Sequence, residues 1–234
     1  MILHRPLDAV LRSHAHVAAL RTLLDTTVGK SGSQVARDCG IHPLTALKAL
    51  SGLEALGVVR RQRGGRDHLF TLRREKVLVR DLIIPLLESE HAFAGNVYAA
   101  ITRSLPHTVL SLTIFGSTAR REETPLSDLD LCCVVATAAE GAALREALHE
   151  HRDGLHERFN VMLSPIILTT AELFRRRKSP LILAIIEEGQ VIAGRSILEI
   201  INDHTNNAKG RRLRRLSEIR RGSGALHERG KGRR

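Results

Sequence analysis

Between Val109 and Val135 the chain reads VLSLTIFGSTARREETPLSDLDLCCVV. An apolar run, Val109 to Phe115, is cut off by Gly116-Ser117, and a short charged segment leads to Ser127-Asp128-Leu129-Asp130-Leu131, which opens a second apolar run. The pattern predicts strand, tight turn, helix, strand. Successive side chains on a strand alternate between faces, so Asp128 and Asp130 are expected on one face and Leu129 and Leu131 on the other, in a core. Two carboxylates on one face repel unless a cation lies between them. A hard divalent cation that prefers oxygen ligands, Mg2+ or Mn2+, answers that need and leaves coordination positions for phosphate oxygens. Gly116 permits a close backbone approach to a ligand. The amides that open the next helix favour an anion, and the Ser117 hydroxyl adds a further hydrogen bond.

The wording Gly116-Ser117-Thr118-Ala119-Arg120-Arg121-Glu122, then Leu126-Ser127-Asp128-Leu129-Asp130-Leu131, resembles the nucleotidyltransferase superfamily typified by DNA polymerase beta. It is most similar to the small bacterial nucleotidyltransferase domains. With the EEGQVIAG ending at 187–194, the resemblance covers about Leu105 to Ile201. It implies a small mixed sheet flanked by helices. It further implies a nucleoside triphosphate as substrate or ligand, with Asp128 and Asp130 as metal-binding and catalytic residues. Gly116 and Ser117, with Arg120 or Arg121, would bind the phosphates. Some small members modify a protein acceptor. The family usually carries a third carboxylate on a later strand. The matching stretch here, FNVMLSPIIL at 159–168, has none, and Asn160 or Ser164 takes that place. Neither is a base at neutral pH, which points to nucleotide binding with slow or undetectable transfer.

With 234 residues, of which 43% are hydrophobic, the chain can bury two small cores. It has no apolar run of membrane-spanning length, and His4, Arg5 and Asp8 interrupt any secretory core, so no membrane partner is expected. Cys39, Cys132 and Cys133 form neither a disulfide framework nor a zinc spacing, which fits a reducing cytoplasm. The net charge of +11 is uneven: +6 over 1–75, −4 over 76–208 and +9 over 209–234. Basic ends suit nucleic acid and a mildly acidic middle suits metal chemistry.

A first helix is predicted over Leu7–Asp25. Ser31 and Gln34 have capping-box spacing, Gly40 sits where a helix would stop, and Pro43 opens a helix to Leu56 with Leu44, Leu47, Leu50, Leu53 and Leu56 expected inside. Extended runs then flank Gly64-Gly65, a two-residue hairpin turn. Helix-turn-helix plus a basic hairpin resembles the winged-helix DNA-binding domains of bacterial regulators. That resemblance implies double-stranded DNA as partner, with Thr45 and Lys48 at the major groove and Arg60, Arg61, Arg63 and Arg66 on the wing at phosphates or the minor groove. A winged helix used for protein contact is the other reading.

The connecting segment has a helix starting near Pro85, with Leu86, Leu87, Phe93, Val97, Ile101 and Leu105 as its apolar stripe, and such a helix also suits a homodimer. A helix over Ala138–Arg158 carries His149, Asp153, His156 and Glu157 on one flank, a metal-binding spacing or simply a solvated face. Arg175, Arg176, Arg177 and Lys178 end a later helix. The Gly- and Arg-rich tail is expected to be disordered. The fold class expected is thus α/β (α+β), divided into a winged helix-turn-helix domain at 1–75, a connecting helix at 76–105, a nucleotidyltransferase domain at 106–204 and a basic tail at 205–234. Three functions stand open. One is a nucleotidyltransferase with a DNA-binding front end. Another is a transcriptional regulator that senses a nucleotide with a catalytically impaired domain. The third is an antitoxin-like partner that modifies a neighbouring toxin, as some small members of the resembled family do.

Overall fold

The computed structural model describes residues 3–206 except 66 and 104. The chain divides into two compact units, Met1–Ala94 and Gly95–Arg234. The tail beyond 206, and Arg66 among the wing arginines, lie outside the described residues.

The first unit contains α1 (Pro6–Val10), α2 (His14–Leu24), β1 (Lys30–Ser31), α3 (Gly32–Asp38), α4 (Pro43–Ala55), β2 (Val59–Gly64) and β3 (Asp67–Leu72). The helix predicted over Leu7–Asp25 is two helices. Ser13 is extended and its hydroxyl accepts the His16 amide, so a new helix is capped there. The capping box of Ser31 and Gln34 opens α3, and Gly40 at φ +63° closes it in a conformation that glycine adopts without cost. Pro43 occupies the first turn of α4. The strands form an antiparallel sheet in the order β1-β3-β2. Gly64 pairs with Asp67, so Gly64 belongs to β2 and not to the turn as expected, while Gly65 has φ +62°.

The buried face of α4 differs from expectation. Ala46, Ala49, Leu50 and Leu53 are inside, while Leu44 and Leu47 are exposed and Leu56 is half-buried. Steps of three residues fall about 60° short of a full rotation each time, so a long run at that spacing walks off the face. The core instead follows the mixed three-and-four spacing, and packs with Leu20, Leu23, Val35, Val58 and Phe70.

A π-helical segment, Leu78–Ile83, runs directly into α5 (Ile84–Arg103), so the helix begins before Pro85 and not at it. The Ile84 amide reaches back five residues to the Val79 carbonyl, the wider turn that accommodates a proline inside a helix. Leu87, Val97 and Ile101 are buried, whereas Leu86 and Phe93 are about half exposed.

In the second unit β4 (Ser111–Phe115), α6 (Gly116–Arg120), β5 (Leu129–Val135), α7 (Ala138–Phe159), β6 (Leu163–Thr169), α8 (Thr170–Arg176), α9 (Pro180–Glu188) and β7 (Gln190–Gly194) follow α5. A last helix, α10, covers 197–206. The sheet order is β6-β5-β4-β7, with β5 and β6 parallel and the other pairs antiparallel. This is a mixed sheet with helices on both faces. Leu129, Leu131, Cys133 and Val135 pack with Ile101, Leu144 and Leu148 on one side. Cys132 and Val134 pack with Leu173, Ile182, Ile185 and Ile197 on the other. Burial on both sides explains why β5 reads as a continuous apolar run after its acidic start. No helix among the described residues is long and apolar enough to cross a membrane.

Candidate functional site

The turn from β4 into α6 brings Gly116 against Asp130. Phe115 is the register partner of Asp130. Gly116 follows at φ +72°, and a Cβ there would stand 2.4 Å from Asp130 Oδ2. The sequence needs glycine here twice over: for the left-handed backbone, and for the carboxylate that lies against it. Ser117 is half-buried in the first turn of α6, which has no side-chain cap. Arg121 closes α6 at φ +59°.

Asp130 lies on β5, but Asp128 stands one residue before the strand begins and is exposed. Leu129 and Leu131 are buried, as the alternation requires. The approach to Asp128 is shaped by a turn in which the Thr124 amide donates to Ser127 Oγ at 2.9 Å and the Ser127 amide donates to the Thr124 carbonyl at 3.0 Å. The Leu129 amide donates to the Met162 carbonyl at 2.7 Å, joining this turn to the approach to β6.

The strand predicted over 159–168 begins later, at Leu163. α7 extends through Phe159, and Asn160 ends it in the left-handed conformation, φ +54°, its amide donating to His156 O at 2.8 Å. Asn160 is therefore a helix cap. Ser164 is the register partner of Asp130. Parallel partners share a face, so Ser164, and not Asn160, stands beside Asp130.

Arg120 is already engaged: Nε donates to Glu122 and Nη1 to Glu188 at the end of α9, both at 2.9 Å. The hydrogen bonds it donates to Glu122 and then Glu188 raise its affinity for its proton further. A phosphate must compete with both carboxylates for it. Tyr98 on α5 went unnoticed in the sequence. Burial, then the charge of Glu123, pushes its phenol pKa up, while Arg121 opposes the shift, which ties Tyr98 to the loop after α6. Its one sequence signal is that the chain has a single tyrosine.

The acidic flank of α7 is not a metal centre. His149, Asp153, His156 and Glu157 are exposed, and among the described residues no group of three or more His, Cys, Asp or Glu side chains is placed to hold a metal ion. Arg177 lies over the Phe174 ring at 4.1 Å and donates to the Phe174 carbonyl, so it serves packing. Burial pushes the thiols of Cys132 and Cys133 up to about 12, which keeps them protonated and unreactive.

In the first unit, Thr45 and Lys48 are exposed on α4. The wing arginines do not act as one group. Arg61 and Arg63 pair with Phe70 and His68 on the sheet face that carries the buried Phe70. Arg60 lies on the opposite face and donates to Glu75 at 2.6 Å. A groove of about 460 Å³ lined by Ser33, Leu47, Ser51, Arg61, His68 and Phe70 lies between α4 and the hairpin.

The family model of the nucleotidyltransferase domain matches residues 99–191, which contain β4 through the start of β7 and both aspartates. No curated protein matches the sequence. Among solved structures, a toxin-antitoxin crystallised with AMP-PNP is 14% identical and aligns over 55% of this chain and 97% of its own, with a TM-score of 0.35. A mutant of the toxin-antitoxin MntA-HpeT is 12% identical over 55% of this chain and 97% of its own, with a TM-score of 0.34. Residues 99–191 are thus similar in sequence to the nucleotidyltransferase domain, and they include most of a mixed four-stranded sheet.

Proposed function

We propose that this protein binds a nucleoside triphosphate with a divalent cation, Mg2+ or Mn2+, at Asp128 and Asp130, and binds duplex DNA through its first unit. The observation that carries the nucleotide site is the Asp130 carboxylate lying against Gly116, in space that any Cβ would fill. Two carboxylates beside a glycine turn fit one hard cation whose remaining ligands are phosphate oxygens. When bound, the cation offsets charge on the phosphates. The amides of Gly116 and Ser117 and the Ser117 hydroxyl orient them, with Arg121 nearby and Arg120 available on exchange from its glutamates.

In nucleotidyl transfer an acceptor hydroxyl oxygen bonds to the α-phosphorus as the bond to the β-bridging oxygen breaks. Pyrophosphate leaves and the hydroxyl proton passes to a base. Ser164, at the register of Asp130, is not such a base. That position favours a protein that holds its nucleotide and transfers it slowly, a sensor joined to a DNA-binding module. From α2 onward the first unit runs helix–strand–helix–helix–strand–strand, with sheet order β1-β3-β2, which supports reading it as a winged helix-turn-helix. Isothermal titration with nucleoside triphosphates and Mg2+ tests the site. Asp128→Ala and Asp130→Ala each abolish Mg2+-dependent binding in a folded protein; unchanged affinity in both variants rejects the assignment.

A further inference from the structure

Leu44 and Leu47 stand 62% and 43% exposed on the outer face of α4. Leu47 is laid against the first turn of α3, where a Cβ on Gly32 would meet Leu47 Cδ2 at 2.6 Å. A solvent-facing helix gains nothing from leucine at these places, whereas a partner that covers them does. The chemistry around them is more cationic than anionic: Lys48 is exposed on the same helix, Arg61 lines the groove with Asp67, and Arg63 follows two residues along the same face of β2. The outward residues of α4, chiefly Leu44, Thr45, Leu47, Lys48 and Ser51, include no Arg, Asn or Gln. This face therefore lacks the Asn and Gln that read adenine through N6 and N7, and of the side chains that read guanine through O6 and N7 it offers Lys48 alone. The remaining mark that sets a base pair apart in the major groove, and that an aliphatic side chain can read, is the C5 methyl of thymine.

We propose that α4 reads duplex DNA through thymine methyl groups. Leu44 and Leu47 pack on them in the major groove, and Lys48, Arg61 and Arg63 hold the flanking phosphates. This rests on the DNA-binding reading of the first unit. The cations around the leucines favour a polyanion over a protein as the occupant of this face.

The test uses the full chain and a random-sequence duplex library at low salt. The selected duplexes are remade with deoxyuridine for thymidine, which removes only the methyl. Thymine is expected at defined positions of the selected sequences, with affinity falling about fourfold per methyl removed there. Leu44→Ala erases most of the difference between the thymidine and deoxyuridine duplexes. Lys48→Ala weakens every sequence alike and lowers the salt slope by about one. Equal binding of the deoxyuridine duplexes, or binding without any sequence enrichment, overturns the methyl readout and leaves DNA binding standing. No duplex binding by a chain that circular dichroism shows to be folded removes both, and assigns the face to a protein partner.

Discussion

The glycine turn of the second unit and the hairpin of the first each carry a run of residues that reads as a site, and they behave in opposite ways. From Gly116 to Asp130 the residues converge, because β4 and β5 pair so that Phe115 meets Asp130 and the turn folds back onto the carboxylate. Along β2 the arginines diverge. Arg61 and Arg63 share a face, while Arg60 points to the other and is held by Glu75. A site spread over a turn gathers its parts through register. A run of like residues along one strand is split by the alternation of faces.

The sharpest way to break the comparison is to spoil the convergence. Gly116→Ala adds a Cβ that must move the Asp130 carboxylate and forces alanine to φ +72°. The left-handed backbone alone costs about 1–2 kcal/mol, and the contact adds to it. Nucleotide binding is expected to be lost in titration calorimetry, with a clear drop in the urea midpoint. In an Asp130→Ala background the same change costs less, because the contact is gone and only the backbone cost remains. Equal costs in the two backgrounds would show that Asp130 does not rest on the glycine.

The next largest effect concerns the strand beside it. Ser164→Asp places a carboxylate at the register of Asp130. If the rest of the machinery is sound, single-turnover release of pyrophosphate rises by about a hundredfold, the lower end of what a positioned base supplies. The variant also brings a further negative charge next to Asp130, so its stability should fall without Mg2+ and recover with it. Fast release by the unmodified protein would mean that another group takes the proton, and the sensor reading would fail.

Much of this was legible beforehand. The glycine turn, the acidic start of β5, the Ser31 cap and the hairpin follow from local rules that a single stretch satisfies. What the sequence hid depends on the third dimension or on small competing signals. The end of α7 lies later than expected because Asn160, although it borders an apolar run, closes the helix in the left-handed conformation that asparagine tolerates. The choice between Asn160 and Ser164 needed the register of β6. The helix at 197–206 has a local signal in the Ser196–Glu199 spacing, and these two residues exchange capping hydrogen bonds with each other's amides. The pairing of Arg120 with Glu188 joins residues 68 positions apart and has no local trace.

The hairpin half of the comparison predicts a smaller and directional effect. Replacing Arg61 and Arg63 together with alanine should weaken duplex binding by about tenfold at low salt and lower the salt slope by about two, one for each lost phosphate contact. Arg60→Ala should leave both nearly unchanged, since that guanidinium lies on the opposite face in a pair with Glu75. Filter binding across a salt series decides. An equal loss from Arg60→Ala would mean that the alternation of β2 does not sort its arginines.

The smallest effect belongs to Glu75 itself. Its own backbone amide, then Arg73 and Arg60, lower its carboxyl from the ordinary 4.5 to about 2. A carboxyl depressed on folding contributes stability that is present above its unfolded value and lost as pH falls through the folded one. Glu75→Gln should therefore be slightly less stable than the parent at neutral pH. The two should converge as the pH drops from about 4.5 toward 2. Because both partners are exposed to solvent, the difference is small and shrinks in salt. Urea midpoints at neutral and acid pH measure it, and a difference that does not change with pH would show that the carboxylate charge is not its source. The same variant removes the charge that Arg60 is paired with, without turning Arg60 to the other face. Its duplex affinity and salt slope should match the parent, and a gain in either would place Arg60 among the phosphate contacts after all.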